Sequence, residues 1–209
     1  MKINTELKNY IEQNILPRYN ALDAAHDINH IQKVIDESLI LAQQFDVDID
    51  MAYTIAAYHD IGIEQNRELH HIISGEILLA DENLKKWFFP EQIEIMCDAI
   101  EDHRASNKNI PRTTYGKIIA EADRDISVQT ILRRTIQFGL KKYPAENFEF
   151  HFARAYEHIV NKYGENGYLK LCLHSEKNEK GLAEVRAALI DKENLYKICK
   201  DIFDKESIF

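Results

Sequence analysis

Apolar residues recur at three- and four-residue intervals along nearly the whole chain, and that period excludes most folds built on strands. Ile3, Leu7, Tyr10, Ile11 and Ile15 share one helical face before Pro17 interrupts it. The spacing predicts a second helix carrying Ile31, Val34, Ile35, Leu39 and Ala42, with Asp27 as its N-cap. A third starts at Asp48 or Asp50 and runs through Met51, Ile55 and Ala56 to about Asp60, with Gly62 as its stop. A fourth covers roughly residues 68–80, and Pro90 opens a fifth, PEQIEIMCDAIEDH. A sixth runs from about Thr114 through KIIAEADRDISVQTILRRTIQFG, with a bend near Ser127.

NFEFHFARAYEHIVNKYG, GLAEVRAAL and ENLYKICKDIF extend the pattern to the end, while EKNEKG, residues 176–181, reads as a solvated loop. Seven glycines and four prolines in 209 residues leave little turn chemistry for a β-rich fold. The expectation is a single all-α domain, a helical bundle over residues 1–209. In it, helices from 127 onward pack on a core that carries the motifs.

A formal net charge of −9 argues against binding nucleic acid polymers or an anionic membrane surface, since both need a basic field. Three widely spaced cysteines, Cys97, Cys172 and Cys199, form neither a disulfide framework nor a thiolate zinc site. The opening MKINTELKNYIEQNIL is charged throughout, and no apolar run is long enough to span a bilayer. A cytoplasmic protein is expected. Trp87-Phe88-Phe89 before Pro90 reads as a loop anchored in the core, with a homodimer contact as the alternative.

Polar residues interrupt the core pattern at a few places. His30 lies in AHDINHIQKV, His59 and Asp60 in IAAYHDIG, His71 in LHHIISGEILL, His103 in AIEDHR and Asp123 in IIAEADRD. Each alone has a structural explanation, such as a hydrogen-bonded core histidine or a cation at a helix C-terminus. Together they all adjoin stretches that should be core, where imidazoles and charges need partners. One shared metal ion satisfies several at once, through histidine nitrogens and carboxylate oxygens. His59 and Asp60 would point about 100° apart within a helix. At a helix end the backbone can open and let both converge.

The order His30, His59-Asp60, Asp123 resembles the HD-domain superfamily of metal-dependent phosphohydrolases, with AHDINHIQKV, AAYHDIG and IIAEADRD as the matching segments over roughly residues 22–126. The resemblance implies an all-α fold and a divalent ion held by His30, His59, Asp60 and Asp123. His71 and His103 resemble the two extra histidines of binuclear members such as the HD-GYP phosphodiesterases. They would hold a second metal or bind phosphate directly. No Gly-Tyr-Pro follows His103, where the chain reads HRASNKNIP. At the late motif the chain reads EADRDI, residues 121–126, where many members read Asp-Ala-Asp-Arg-Leu-Asp.

The activity this implies is hydrolysis of a small phosphorylated substrate, a nucleotide in the first instance, as a phosphomonoesterase or pyrophosphohydrolase. Asp60 would take the proton of the attacking water, and His71 and His103 would steady the phosphate or protonate the leaving group. His26, Lys33, Arg104 and Arg124 are candidates for substrate binding, with Arg suited to bidentate phosphate contacts. The nitrogen and oxygen donor set admits Mn, Fe, Co, Ni, Zn or Mg, at one site or two. The competing readings are an HD-type di-iron oxygenase and a catalytically silent metal- or nucleotide-binding module.

Overall fold

Met51 through Tyr58 are all buried, so the helix they occupy, α3 (Ile49–Tyr58), is apolar on every side. Such a helix must be surrounded, and α3 packs against α1 (Thr5–Asn14), α2 (Ile28–Ala42), α4 (His70–Ala80), α5 (Pro90–Asp102) and α6 (Thr114–Ala122). Leu7, Ile11, Ile31, Leu78, Met96, Ile100 and Ile118, one or two from each of these helices, are fully buried around it. The computed structural model describes residues 2–22, 26–104 and 109–207. Among them the fold is all-α and no strand occurs.

The caps follow the sequence. Asp27 accepts from the backbone N–H groups of Asn29 and His30 at 3.0 and 2.9 Å, starting α2. Of the two candidates for α3, Asp48 is the N-cap. Pro17 falls in a 3-10 turn, Leu16–Ala21, and Pro90 opens α5.

The contacts divide the chain into two compact units, Met1–Arg124 and Asp125–Phe209, where the sequence pattern suggests one domain. The division falls inside the predicted sixth helix. That stretch forms two helices, α6 and α7 (Val128–Lys142), and Ser127 caps the second through its hydroxyl. The interruption leaves Asp123 at the C-terminal end of α6.

In the second unit α7, α8 (Phe148–Tyr163), α9 (Glu176–Ile190) and α10 (Lys192–Glu206) bury Leu132, Ile136, Phe152, Ala155, Val185 and Cys199. EKNEKG is not a loop: it forms the first turns of α9. Ser175 caps it, Glu176 and Glu179 suit the positive end of the helix dipole, and Asn178 and Gly181 are buried. A β-carbon on Gly181 would lie 2.1 Å from the Ile126 carbonyl oxygen, so the glycine permits a close approach of backbones.

Gly62 works in the same way rather than as a helix stop. The helix ends at Tyr58, and no described glycine has a positive φ. Gly62 lies in a 3-10 turn, Ile61–Glu64, laid on the first turns of α4. A β-carbon there would come within 2.5 Å of the His70 carbonyl oxygen and 2.8 Å of the Ser74 nitrogen. Of the Trp87-Phe88-Phe89 segment, Phe88 is buried, Trp87 lies against Tyr10 with ring centroids 5.5 Å apart, and Phe89 is exposed.

Candidate metal centre

Helix ends supply every side chain of the cluster. His30 lies in the first turn of α2, His59 caps the C-terminus of α3, and Asp60 follows it. His70 is the first residue of α4, His103 caps α5, and Asp123 caps α6. The backbone leaves the helical region at Asp60, with φ −110° and ψ 1°. That departure brings the adjacent His59 and Asp60 side chains together, Nε2 to Oδ2 at 3.4 Å.

Two groups of donors result. In the first, Asp123 Oδ1 stands 3.2 Å from His30 Nε2 and 3.7 Å from His59 Nε2. Asp60 Oδ2 stands 3.7 Å from His30 Nε2. In the second, Asp60 Oδ1 lies 3.3 Å from His70 Nε2 and 3.5 Å from His103 Nε2. Asp60 therefore faces one group with each oxygen. In each group the donor atoms lie within 4.8 Å of one another. Donors bound to one ion at about 2.1 Å are separated by about 3.0–3.4 Å, close to these spacings.

The histidines are oriented for such a role. His59 Nδ1 donates to the Ala56 carbonyl at 2.9 Å, His103 Nδ1 to Ile100 at 2.6 Å, and His70 Nδ1 to Arg67 at 2.8 Å. In each case the acceptor lies three residues back. A carbonyl only accepts, so Nδ1 carries a hydrogen and Nε2 is the nitrogen left to bind an ion once it is deprotonated. His30 Nε2 and His59 Nε2 are buried without a hydrogen-bond partner. His70 Nε2 and His103 Nε2 face each other at 3.2 Å, each with its Nδ1 already committed to a backbone carbonyl. A cation resolves both situations. The residues present fit a metal ion.

The electrostatics agree. Burial opposes charge on His59, but Asp60 and Asp123 outweigh it and lift its pKa well above the usual value. His30 is raised in the same way against its own burial. Burial would raise Asp60 and Asp123, yet the facing histidines hold both carboxyls below their ordinary range. His70 is pushed down to about 4, first by burial, and is neutral at neutral pH. Negative carboxylates thus meet imidazoles across a buried space, the balance a divalent cation replaces when it displaces protons.

His71 does not join the second group; His70 does. Neighbours on a helix diverge by about 100°, and the His71 ring lies 5.5 Å from that of His70 outside the donor group, with its pKa lowered by burial, His103 and Arg104. Sequence offers little to separate them. His70, Ser74 and Leu78 form one row at four-residue spacing, and His71, Gly75 and Leu79 form the next. Only the structure shows that Leu78 is buried and Leu79 exposed.

The candidate substrate groups are dispersed. The His26 ring lies 5.9 Å from that of His30, and Lys33 is exposed. Arg104 donates to the Glu68 carbonyl at 2.5 Å. Arg124 turns back on its own helix, donating to the Ala120 carbonyl near the buried Glu121. Glu64 forms a two-pronged ion pair with Arg18. Ala105–Lys108, within the segment that lacks Gly-Tyr-Pro, lie outside the described residues.

Comparison with known families bears on the same stretch of chain. The family model described as HD domain matches residues 27–126, which contain every donor of the cluster. Residues 27–126 are an HD domain. The HD superfamily is one of metal-dependent hydrolases, and HD domains bind divalent metals. The all-α fold of this domain is the fold of that superfamily. Comparisons with curated proteins and with solved structures give no match. No described helix is long and apolar enough to cross a membrane.

Proposed function

We propose that this protein is a metal-dependent phosphohydrolase acting on a small phosphorylated molecule, with nucleotides as the first class to test. His30, His59 and Asp123 on one side of Asp60, and His70 and His103 on the other, are the residues that would hold one divalent ion or two. The observation that carries this reading is the arrangement of Asp60, whose two oxygens face two separate groups of histidine nitrogens. His30, His59, Asp60 and Asp123 would hold one ion, and Asp60, His70 and His103 the other. Bound divalent ions lower the pKa of a water and polarise phosphoryl oxygens.

The protein's own groups then divide the remaining work. Asp60 holds rather than shuttles, because both of its oxygens are engaged by facing nitrogens. His103, as a ligand through Nε2 with Nδ1 committed to Ile100, would have no hydrogen to give toward the cluster. That leaves His71 and Arg104 as the groups to meet the outer phosphate oxygens, with His71 kept neutral by burial and by its charged neighbours. His26, adjacent to His30, borders the other side. Asp60 as the base and His103 as the acid, the roles suggested by sequence, give way to ligand roles.

The test is phosphate release from nucleoside mono-, di- and triphosphates and simple phosphomonoesters, with Mn, Co, Ni or Mg supplied. Turnover that Asp60→Ala abolishes is the expected result. The same donor set also suits a di-iron oxygenase. Two irons per chain with oxygen consumption and no phosphate release would replace the hydrolase reading, and inertness in both assays would leave a binding module.

A further inference from the structure

Ser74 is fully buried and lies one turn beyond His70 on α4, on the same face. Its hydroxyl accepts the backbone N–H of Gly62 at 2.9 Å, in a buried contact. Gly62 in turn is two residues past Asp60, and its missing side chain lets the turn rest directly on the α4 backbone at His70 and Ser74. One hydrogen bond and one backbone contact thus join the turn that begins at Asp60 to the helix that begins with His70. The distance they fix is the 3.3 Å between Asp60 Oδ1 and His70 Nε2. His30, His59 and Asp123 reach Asp60 through α2, α3 and α6, without this contact.

We infer that Ser74 is a positioning residue for the second ion: it locks the Asp60 turn onto α4, so that occupancy of the Asp60–His70–His103 group depends on it while the His30–His59–Asp60–Asp123 group does not. The inference rests on the two-ion reading proposed above. A donor displaced by a fraction of an ångström no longer shares an ion with its neighbours, and loss of supporting contacts around a metal site typically costs about 10- to 100-fold in affinity. Removing the Ser74 hydroxyl also leaves the Gly62 N–H buried and unpaired, which favours a shift of α4, and of His70 with it, away from the turn while α3 holds Asp60 in place.

The experiment is equilibrium dialysis of the full chain against Mn2+, with ions per chain counted by elemental analysis and folding followed by circular dichroism. The wild type is expected to bind two ions in two steps. Ser74→Ala should retain the tighter step and weaken the other by about 10-fold or more. Ser74→Cys, close in shape but a poor acceptor, should weaken the same step and serves if the alanine variant does not fold. A variant that binds both ions as the wild type does overturns the role of Ser74 and leaves the two-ion reading intact. Parallel weakening of both steps also overturns it, because a general structural role would act on both. A wild type that binds only one ion overturns the two-ion reading and, with it, this inference.

Discussion

The two units each bury histidine, and they do so to different ends. In the first, His59 is fully buried, and its Nε2 joins a convergence of imidazoles and carboxylates. In the second, His151 is just as buried, and neither ring nitrogen has a well-formed hydrogen bond. Its neighbours are Phe150, Phe203 and the Arg154 guanidinium. No carboxylate of the described residues joins it in a ligating group. The same feature, a buried imidazole without a full set of hydrogen bonds, is part of a candidate site in one unit and a core residue among aromatics in the other. What separates them is convergence: donors from five helix ends against a single ring among aromatics.

Removing the bridge breaks this contrast most strongly. Asp60→Ala should lower divalent-ion affinity by at least about 100-fold, more than the loss of a supporting partner costs, and abolish turnover. His151→Phe should leave ion stoichiometry unchanged. Elemental analysis of both variants after dialysis checks the pair, and a change of stoichiometry in His151→Phe would collapse the distinction.

Gly62→Ala comes next. Its new methyl group meets the α4 backbone, and overpacking of this kind costs about 1–3 kcal/mol. Urea unfolding should show that loss.

Tyr58→Phe tests a third kind of buried polar group, one satisfied without any ion. Tyr10 and Tyr58 each donate to Asp81 Oδ2 at 2.6 Å, and Asn83 serves the other oxygen. The loss should be about 1 kcal/mol at neutral pH. Burial would raise the Asp81 pKa, but these donors hold it below its ordinary value. The stabilisation they give is present above the unfolded carboxyl pKa and is lost as pH falls through the folded one. Unfolding titrations at pH 7 and pH 3 should therefore show a smaller difference between wild type and variant at the acid end.

The smallest effect belongs to His151. Burial, then Arg154, lowers its pKa, so the folded protein keeps it neutral while the unfolded chain takes up a proton. Stability from this group falls as pH drops below about 6.5. His151→Phe should flatten the decline of the melting temperature between pH 7.5 and pH 5.5.

Much of this was legible in the amino-acid order. Local chemistry decides caps, and Asp27, Asp48, Pro17 and Pro90 read correctly because each acts within one turn of itself. The grouping of His30, His59, Asp60 and Asp123 was also legible, through the resemblance of three segments to the HD superfamily. What escaped depends on faces and close approaches. His70 and His71 differ only in which side of α4 is covered. Gly62 looks like a helix terminator until the backbone of α4 is seen against it. EKNEKG is polar enough for a loop, and becomes helical because Ser175 caps it and its small and amide positions pack inward. Asp123 ends its helix because a polar stretch and a new N-cap at Ser127 follow, a break the apolar period alone runs straight through.

A cluster assembled from the terminal residues of helices makes helix length part of its chemistry. Substitutions along the middle of α3 that keep its volume leave His59 and Asp60 where they are. A single inserted or deleted residue does not, since it turns the helix end by 100° and moves it by about 1.5 Å. The ten residues of α3 thus serve as a ruler. Among natural variants of this protein, the interior of that helix should vary only among residues of similar volume and polarity, while its number of residues stays fixed.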